Sequence, residues 1–220
     1  IQKGLNKEIR WSATTRVDSI DKDILLKMKK AGCDHIEFGV ESGSEEVLKT
    51  IKKGISLEKA RQAVRLAKEL GFHTETAFIL GHPNETVQSA YETIRFASKL
   101  NADIVQIGIM VPYPGTEVAR MASMGMGGYK IISSNWSDYN KQLGNALELE
   151  NLSRKDLERL QLVAYLRLFI YNVRFIDLIR FVFDFRREMF AFLKNHFKRH
   201  KTHQQSKVSL FMMLGMIFKR

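Results

Sequence analysis

Four segments of alternating character, Glu8 to Val17, His35 to Val40, Thr74 to Leu80 and Ile104 to Val111, recur about every thirty residues. Helical patterns fill the gaps, with apolar residues three and four apart: Ile24, Leu25, Met28 and Ala31 in one, Val87, Ala90, Tyr91, Ile94 and Ala97 in another. Strand, helix, strand, helix at this spacing predicts repeated βαβ units and a parallel sheet. Helix punctuation agrees. Asp21 and Ser56 stand where two helices should start, Gly32 and Gly71 where two should end, and Ser42 with Glu45, like Ser153 with Asp156, has capping-box spacing.

The faces of these strands restrict the fold further. Trp11, Ala13, Thr15 and Val17 share one side of the first, opposite Arg10, Ser12, Thr14, Arg16 and Asp18. Ile36, Phe38 and Val40 oppose Glu37, Gly39 and Glu41 in the second, and Val105, Ile107, Ile109 and Val111 oppose Ile104, Gln106, Gly108 and Met110 in the fourth. The third, TETAFILG, alternates poorly. Strands covered by helices on both sides read as continuous apolar runs, and a closed barrel fills its centre with bulky branched residues. One apolar and one small or polar face suits a curved, incompletely closed barrel whose inside holds water and a large polar ligand.

No strand signal follows Asn151, and the pattern from Lys155 to about His200 is helical. Residues 151–220 hold 15 of the 35 Lys and Arg but 5 of the 24 Asp and Glu, so most of the net charge of +11 lies there. Arg167, Arg174, Arg180, Arg187, Lys194 and Lys201 would form one stripe on an unbroken helix, read here as a solvated face, with docking on an anionic partner or membrane as the other reading. The longest uncharged apolar run, Val208 to Phe218, falls short of the roughly twenty residues a membrane span needs. His196, His200 and His203 have metal-like spacing but sit in a polar, basic tail. A single cysteine, Cys33, excludes a disulfide framework and a cysteine-rich metal site within these residues, and fits a reducing, cytoplasmic setting. The chain opens without methionine and runs almost at once into a strand, which reads as a fragment.

In parallel βα architectures ligands bind beyond the carboxyl ends of the strands, and Glu41 stands at such an end in the stretch HIEFGVESGSEEVLKTIKKG. A carboxylate there can accept hydrogen bonds from ribose hydroxyls or an ammonium group, while Ser42, Gly43 and Ser44 allow close backbone approach. The plain structural alternative is a helix start with a solvated acid beside it. His82, before Pro83 in another strand-end loop, reads as a hydrogen-bonded loop histidine, with contact to substrate or ligand as the other reading.

Two further strand ends, FILGHPNET and IMVPYPGTEVARM, supply context. Together with TTRVDSID and MKKAGCDHIEFGVESGSEEVLKTIKKG, in this order and spacing, they resemble the radical SAM superfamily, and more narrowly the branch whose members often carry an N-terminal cobalamin-binding domain. The resemblance runs from about Trp11 to Met121 and continues weakly into NLSRKDLERLQLVAYLRLFIY. It implies an α/β fold, a partial (β/α) barrel with strands 3 to 6 present and the first two missing, followed by a C-terminal helical extension. S-adenosylmethionine would lie across the strand ends against a 4Fe-4S cluster, with cobalamin a further cofactor of the branch.

By the same resemblance Glu41 and Ser42 match ribose- and methionine-contacting positions, and Lys53 a basic residue that meets the methionine carboxylate. Ile79, Gly81 and Glu85 fall on the motif that supports the adenine, and Val111, Pro112 and Tyr113 on the one beside the adenine ring. The family holds its cluster with a CxxxCxxC loop that these residues lack, so the cluster ligands and the cobalamin domain are expected outside this chain, which would be inactive alone and has no catalytic residue of its own. Cys33 reads as a packing residue. The expected divisions are 1–125, the later part of the barrel; 126–150, an irregular connector; and 151–220, a basic, aromatic-rich helical extension. Expected partners are a small-molecule substrate and a reductant, with peripheral membrane contact by the C-terminal helices. The nucleic-acid signal is weak, because the basic residues are interleaved with core-type phenylalanines. Two rival readings are a (β/α) barrel hydrolase or aldolase using Glu41 or Asp18 as acid or base, and a non-catalytic module docking an acidic partner.

Overall fold

A computed structural model describes residue 4, residues 7–140 and 145–171, and the single positions 179, 183, 213 and 216. The four alternating segments form strands β1 (Trp11–Thr15), β2 (Cys33–Glu41), β3 (His73–Leu80) and β4 (Ile104–Ile109). They make one parallel sheet in the order β1-β2-β3-β4. Helices α1 (Lys22–Lys30), α2 (Glu45–Thr50), α3 (Leu57–Glu69), α4 (Val87–Lys99), α5 (Glu117–Ser123) and α6 (Arg154–Tyr171) follow in chain order.

The apolar strand faces do become the core. Ile36, Phe38 and Val40 of β2, Phe78 and Leu80 of β3, and Ile107 and Ile109 of β4 are buried with Leu25 of α1, Val64 of α3, Ile94 of α4 and Leu160 of α6. Burying a side chain of this size is worth about 1.5 to 3 kcal/mol. β3 keeps the same pattern despite its sequence, because Thr74 and Thr76 take two of its core-facing positions. Cys33 lies in this core too, fully buried.

Most helix punctuation is as expected. The Asp21 side chain accepts the Ile24 amide and Ser56 that of Lys59, while Gly32 and Gly71 follow helix ends with positive φ. Ser153 and Asp156 exchange backbone-to-side-chain bonds at the start of α6. The Ser42–Glu45 box does not form. α2 is capped at Ser44 without a side-chain bond, the Ser42 hydroxyl is taken by Thr93 of α4, and Glu45 accepts the Leu57 amide. Asp103 ties the start of β3 to the sheet, accepting the Thr74 amide and hydroxyl, both at 2.8 Å, and Lys68 Nζ at 3.0 Å.

The connector is more regular than its sequence reads. Tyr129–Ile131 and Leu147–Leu149 pair antiparallel as β5 and β6. α6 then packs on α4 and seals the edge of β4: Ile107 O accepts Gln161 Nε2 at 2.7 Å and Tyr165 Oη at 3.3 Å. A strand edge covered by a helix in this way is no longer a template for another chain. Arg167 corrects the solvated-stripe reading where it can be checked. It is 1% exposed, with Nε on Ser98 Oγ at 3.0 Å, Nη1 on Met216 O at 2.7 Å, and the rings of Tyr91 and Tyr171 alongside. Arg174, Arg180, Arg187, Lys194, Lys201, His196, His200 and His203 lie outside the described residues. Among the described residues no helix is long and apolar enough to cross a membrane.

Candidate functional site at the strand carboxyl ends

The second face of the sheet carries polar groups from end to end. Toward the strand starts Thr14 donates to Glu37 at 2.9 Å, and Glu75 binds both His35, at 2.9 Å, and Gln106. Toward the carboxyl ends, residues from separate motifs converge. Arg16, just past β1, forks onto Asp18 with both bonds at 2.9 Å and reaches Lys53 O at 2.7 Å. Lys53 turns its Nζ to Glu41 Oε1, also at 2.9 Å. The guanidinium beside Asp18 holds that carboxyl below its usual range, which makes it a poor general base for the rival hydrolase.

Glu41 itself has unusual backbone. Its φ is +72°, and the Ser42 amide returns to Val40 O at 3.0 Å, a γ-turn of the rare positive-φ kind. The register against β3 shifts between Gly39 and Glu41, so the strand ends in a bulge. Gly39 makes room for the result. A Cβ there would stand 3.0 Å from Glu41 Oε1 and 3.5 Å from Lys53 Nζ. The carboxylate therefore folds back over Gly39, facing the open side of the sheet.

Ser42 goes the other way. It is fully buried, its hydroxyl bonded to Thr93 Oγ1 at 2.9 Å and to the Ser44 amide at 3.1 Å. Gly43 packs so tightly on α4 that an added Cβ would lie 2.5 Å from Phe96 Cβ. Ser42 anchors the turn from below, while Glu41 and Lys53 present its upper surface.

After β3, Ile79 is half-buried on the open face, and Gly81 turns the chain at φ +92°. A Cβ added at Gly81 would come into contact with Met110, Leu157 and Leu149. Glu85 is 1% exposed and closes the loop by accepting the Gly81 amide and, at 3.3 Å, the His82 amide. Burial pushes its carboxyl up to about 7. Tyr129 donates to Gly81 O at 3.1 Å, and burial followed by the nearby Glu85 raises its phenol. His82 is buried with Nε2 3.4 Å from Glu41 O, which joins this loop to the first.

After β4, Val111 and Pro112 are buried and the Tyr113 amide returns to Val111 O at 3.0 Å. Tyr113 donates to Tyr139 O at 3.2 Å and packs its ring against Trp136 and Tyr139. Those two stack on each other at 5.2 Å, and Trp136 stays 66% exposed. Glu41, Lys53, Gly81 and Glu85 are thus linked through His82, whereas Tyr113 belongs to a neighbouring aromatic group. Arg16, Trp136 and Tyr139 join the site from outside the residues expected to form it. Arg16 carried a signal, a cation on the polar face just past a strand; the aromatic pair, outside the strand ends, carried none.

The arrangement suits a polar ligand with both anionic and hydroxyl groups, having a cation, a carboxylate and a glycine cradle on one rim. It does not suit an iron–sulfur cluster. Cys33 lies at the far end of β2 from Glu41, buried, with its thiol on His35 O and its pKa raised by burial. Among the described residues no group of His, Cys, Asp and Glu could hold a metal ion.

Residues 1–97 match the family described as the Radical SAM superfamily. An uncharacterized methyltransferase of Pyrococcus horikoshii is 33% identical over 169 residues, 77% of this chain and 36% of that protein. The anaerobic magnesium-protoporphyrin IX monomethyl ester cyclase of Cereibacter sphaeroides is 33% identical over 118 residues, 53% of this chain and 19% of that one. This chain therefore spans about a third or less of these relatives' length. Among solved structures, a radical S-adenosylmethionine methyltransferase from Kitasatospora setae, with cobalamin and a 4Fe-4S cluster bound, shares the fold at a TM-score of 0.54. It is 19% identical, over 64% of this chain and 29% of that one. With its parallel sheet and its strand-end motifs, this chain carries a match to the radical SAM superfamily over residues 1–97.

Proposed function

We propose that the strand carboxyl ends of this chain form the S-adenosylmethionine cradle of a radical SAM enzyme, cobalamin-dependent and cytoplasmic. The observation that carries this reading is that Glu41 and Lys53 meet over Gly39, while Arg16 from the preceding strand end holds Lys53 O on the same rim. Lys53 would meet the methionine carboxylate and Glu41 the ribose hydroxyls or the amino group, with Val111, Pro112 and Tyr113 beside the adenine. In the intact enzyme the cofactor supplies, with a reduced 4Fe-4S cluster, the source of radical or methyl-transfer chemistry. Cysteines outside these 220 residues would hold that cluster, because Cys33 cannot, so the chain alone is inactive. A small-molecule substrate and a reductant complete the reaction, and the basic residues beyond 171 offer peripheral contact with a membrane surface rather than with nucleic acid.

Lys53 tests this directly. Lys53→Met keeps the aliphatic stem and removes the cation, and a hydrogen bond to a charged group is worth about 1.5 to 3 kcal/mol. Calorimetric titration of the full-length, cluster-loaded enzyme with S-adenosylmethionine should show affinity falling roughly ten- to a hundredfold with the fold unchanged by circular dichroism. Equal affinity in both proteins, or none in the parent, would reject the cradle.

A further inference from the structure

The backbone at Glu41 poses a problem that its side chain does not solve. A non-glycine residue at positive φ is unfavourable, and it persists only where its surroundings over-determine it. The Lys53 ion pair holds the carboxylate, but the peptide carbonyl of Glu41 must also be fixed for the turn to keep its shape. His82 reaches that carbonyl, with Nε2 at 3.4 Å. A carbonyl oxygen can only accept, so Nε2 carries the proton and Nδ1 is the bare nitrogen.

His82 has no freedom to be elsewhere. It is 3% exposed, its amide donates to Glu85 Oε2, and its own carbonyl accepts the Glu85 amide at 3.0 Å. Nδ1 is buried without a hydrogen-bond partner among the described residues. A buried imidazole with one ring nitrogen unsatisfied is costly, and filling space alone would be better served by an apolar ring. Burial lowers its pKa, in keeping with the neutral tautomer that donates through Nε2.

We propose that His82 is a positioning residue: clamped by Glu85, it donates through Nε2 to Glu41 O, holds the left-handed turn, and thereby aims the Glu41 carboxylate at the S-adenosylmethionine cradle. This rests on the reading of Glu41 as a cofactor-gripping acid. It also gives buried Glu85 a task at a distance, since the two strand-end motifs meet through His82.

The test uses three substitutions and two readouts. His82→Phe keeps the ring without a donor, His82→Gln places an amide donor near the Nε2 position, and His82→Asn places one near Nδ1. The first readout is hydrogen exchange of the Ser42 amide, which closes the turn on Val40 O, with the Phe38 amide of β2 as the internal control. The second is affinity for S-adenosylmethionine by calorimetry. His82→Phe and His82→Asn should speed Ser42 exchange relative to Phe38 and weaken the cofactor by about two- to tenfold, the range of one neutral hydrogen bond. His82→Gln should restore both. Phe behaving as the parent in both readouts, or Gln losing as much as Phe, overturns the proposal. Ser42 exchange that responds as expected in a parent protein that binds no S-adenosylmethionine would instead reject the cradle and leave the hold on the turn standing.

Discussion

Glu41 can be split into two parts, a carboxylate and a strained peptide, and two substitutions separate them. Alanine and glycine both remove the carboxylate and the 2.9 Å bond to Lys53, so both leave the same cation without its acid. They differ in what the backbone costs. At φ +72° a residue with a Cβ pays about 1 to 2 kcal/mol that glycine does not. Glu41→Gly should therefore be more stable than Glu41→Ala by about that amount. For a chain of this size each kcal/mol moves the melting temperature by about 2 to 4 °C, so the glycine variant should melt roughly 2 to 8 °C higher. Against the parent, alanine should lose little, since a partly exposed ion pair is worth up to about 1 kcal/mol. Affinity for S-adenosylmethionine should fall roughly ten- to a hundredfold in both variants alike. Thermal melts followed by circular dichroism, with titrations on the same samples, read the two effects. Identical melting of the two variants would refute the strained turn, and parental affinity in either would refute the carboxylate as a ligand.

The other expectations follow from neighbouring contacts. Gly43→Ala would drive a Cβ to 2.5 Å from Phe96 Cβ and 2.8 Å from Thr93 Cα, so it should destabilise by about 1 to 3 kcal/mol, seen as an earlier urea midpoint; an unchanged midpoint would mean that α4 can retreat. Glu85 has a folded pKa of about 7, above its ordinary 4.5, so its contribution is fully present below pH 4.5 and is lost as pH rises through about 7. The stability of the parent relative to Glu85→Gln should thus decline across that window by up to about 3 kcal/mol, and a difference flat from pH 4 to 8 would contradict the burial of a protonated acid.

Much of this arrangement was legible in the sequence because it rests on local periodicity. Ile36, Phe38 and Val40 alternate with Glu37, Gly39 and Glu41, and a strand must send alternate side chains to opposite faces, so the core face and the open face were fixed together. Intervals of about thirty residues between strands leave room for a crossover helix, and a crossover helix makes neighbours parallel. The helix starts at Asp21 and Ser56 were readable for the same reason, since a cap bonds within three residues of itself.

Contacts between segments distant along the chain are set by packing alone. ESGS gives three small or polar residues beside one acid, and nothing local says which will bind a ligand. Thr93, from a helix far downstream, draws Ser42 beneath the turn and leaves Glu41 above it. Arg167 is equally opaque from sequence, where a guanidinium in a periodic basic run reads as solvated until Ser98 and Met216 O are found to enclose it. The shape of the site depends on such long-range bonds. Acids and cations stand where the parallel strands end because alternation and crossover spacing are properties of the local chain. The tertiary structure decided which of them meet, and that Glu41 would be bent through a left-handed turn under His82, because those contacts join segments that only packing brings together.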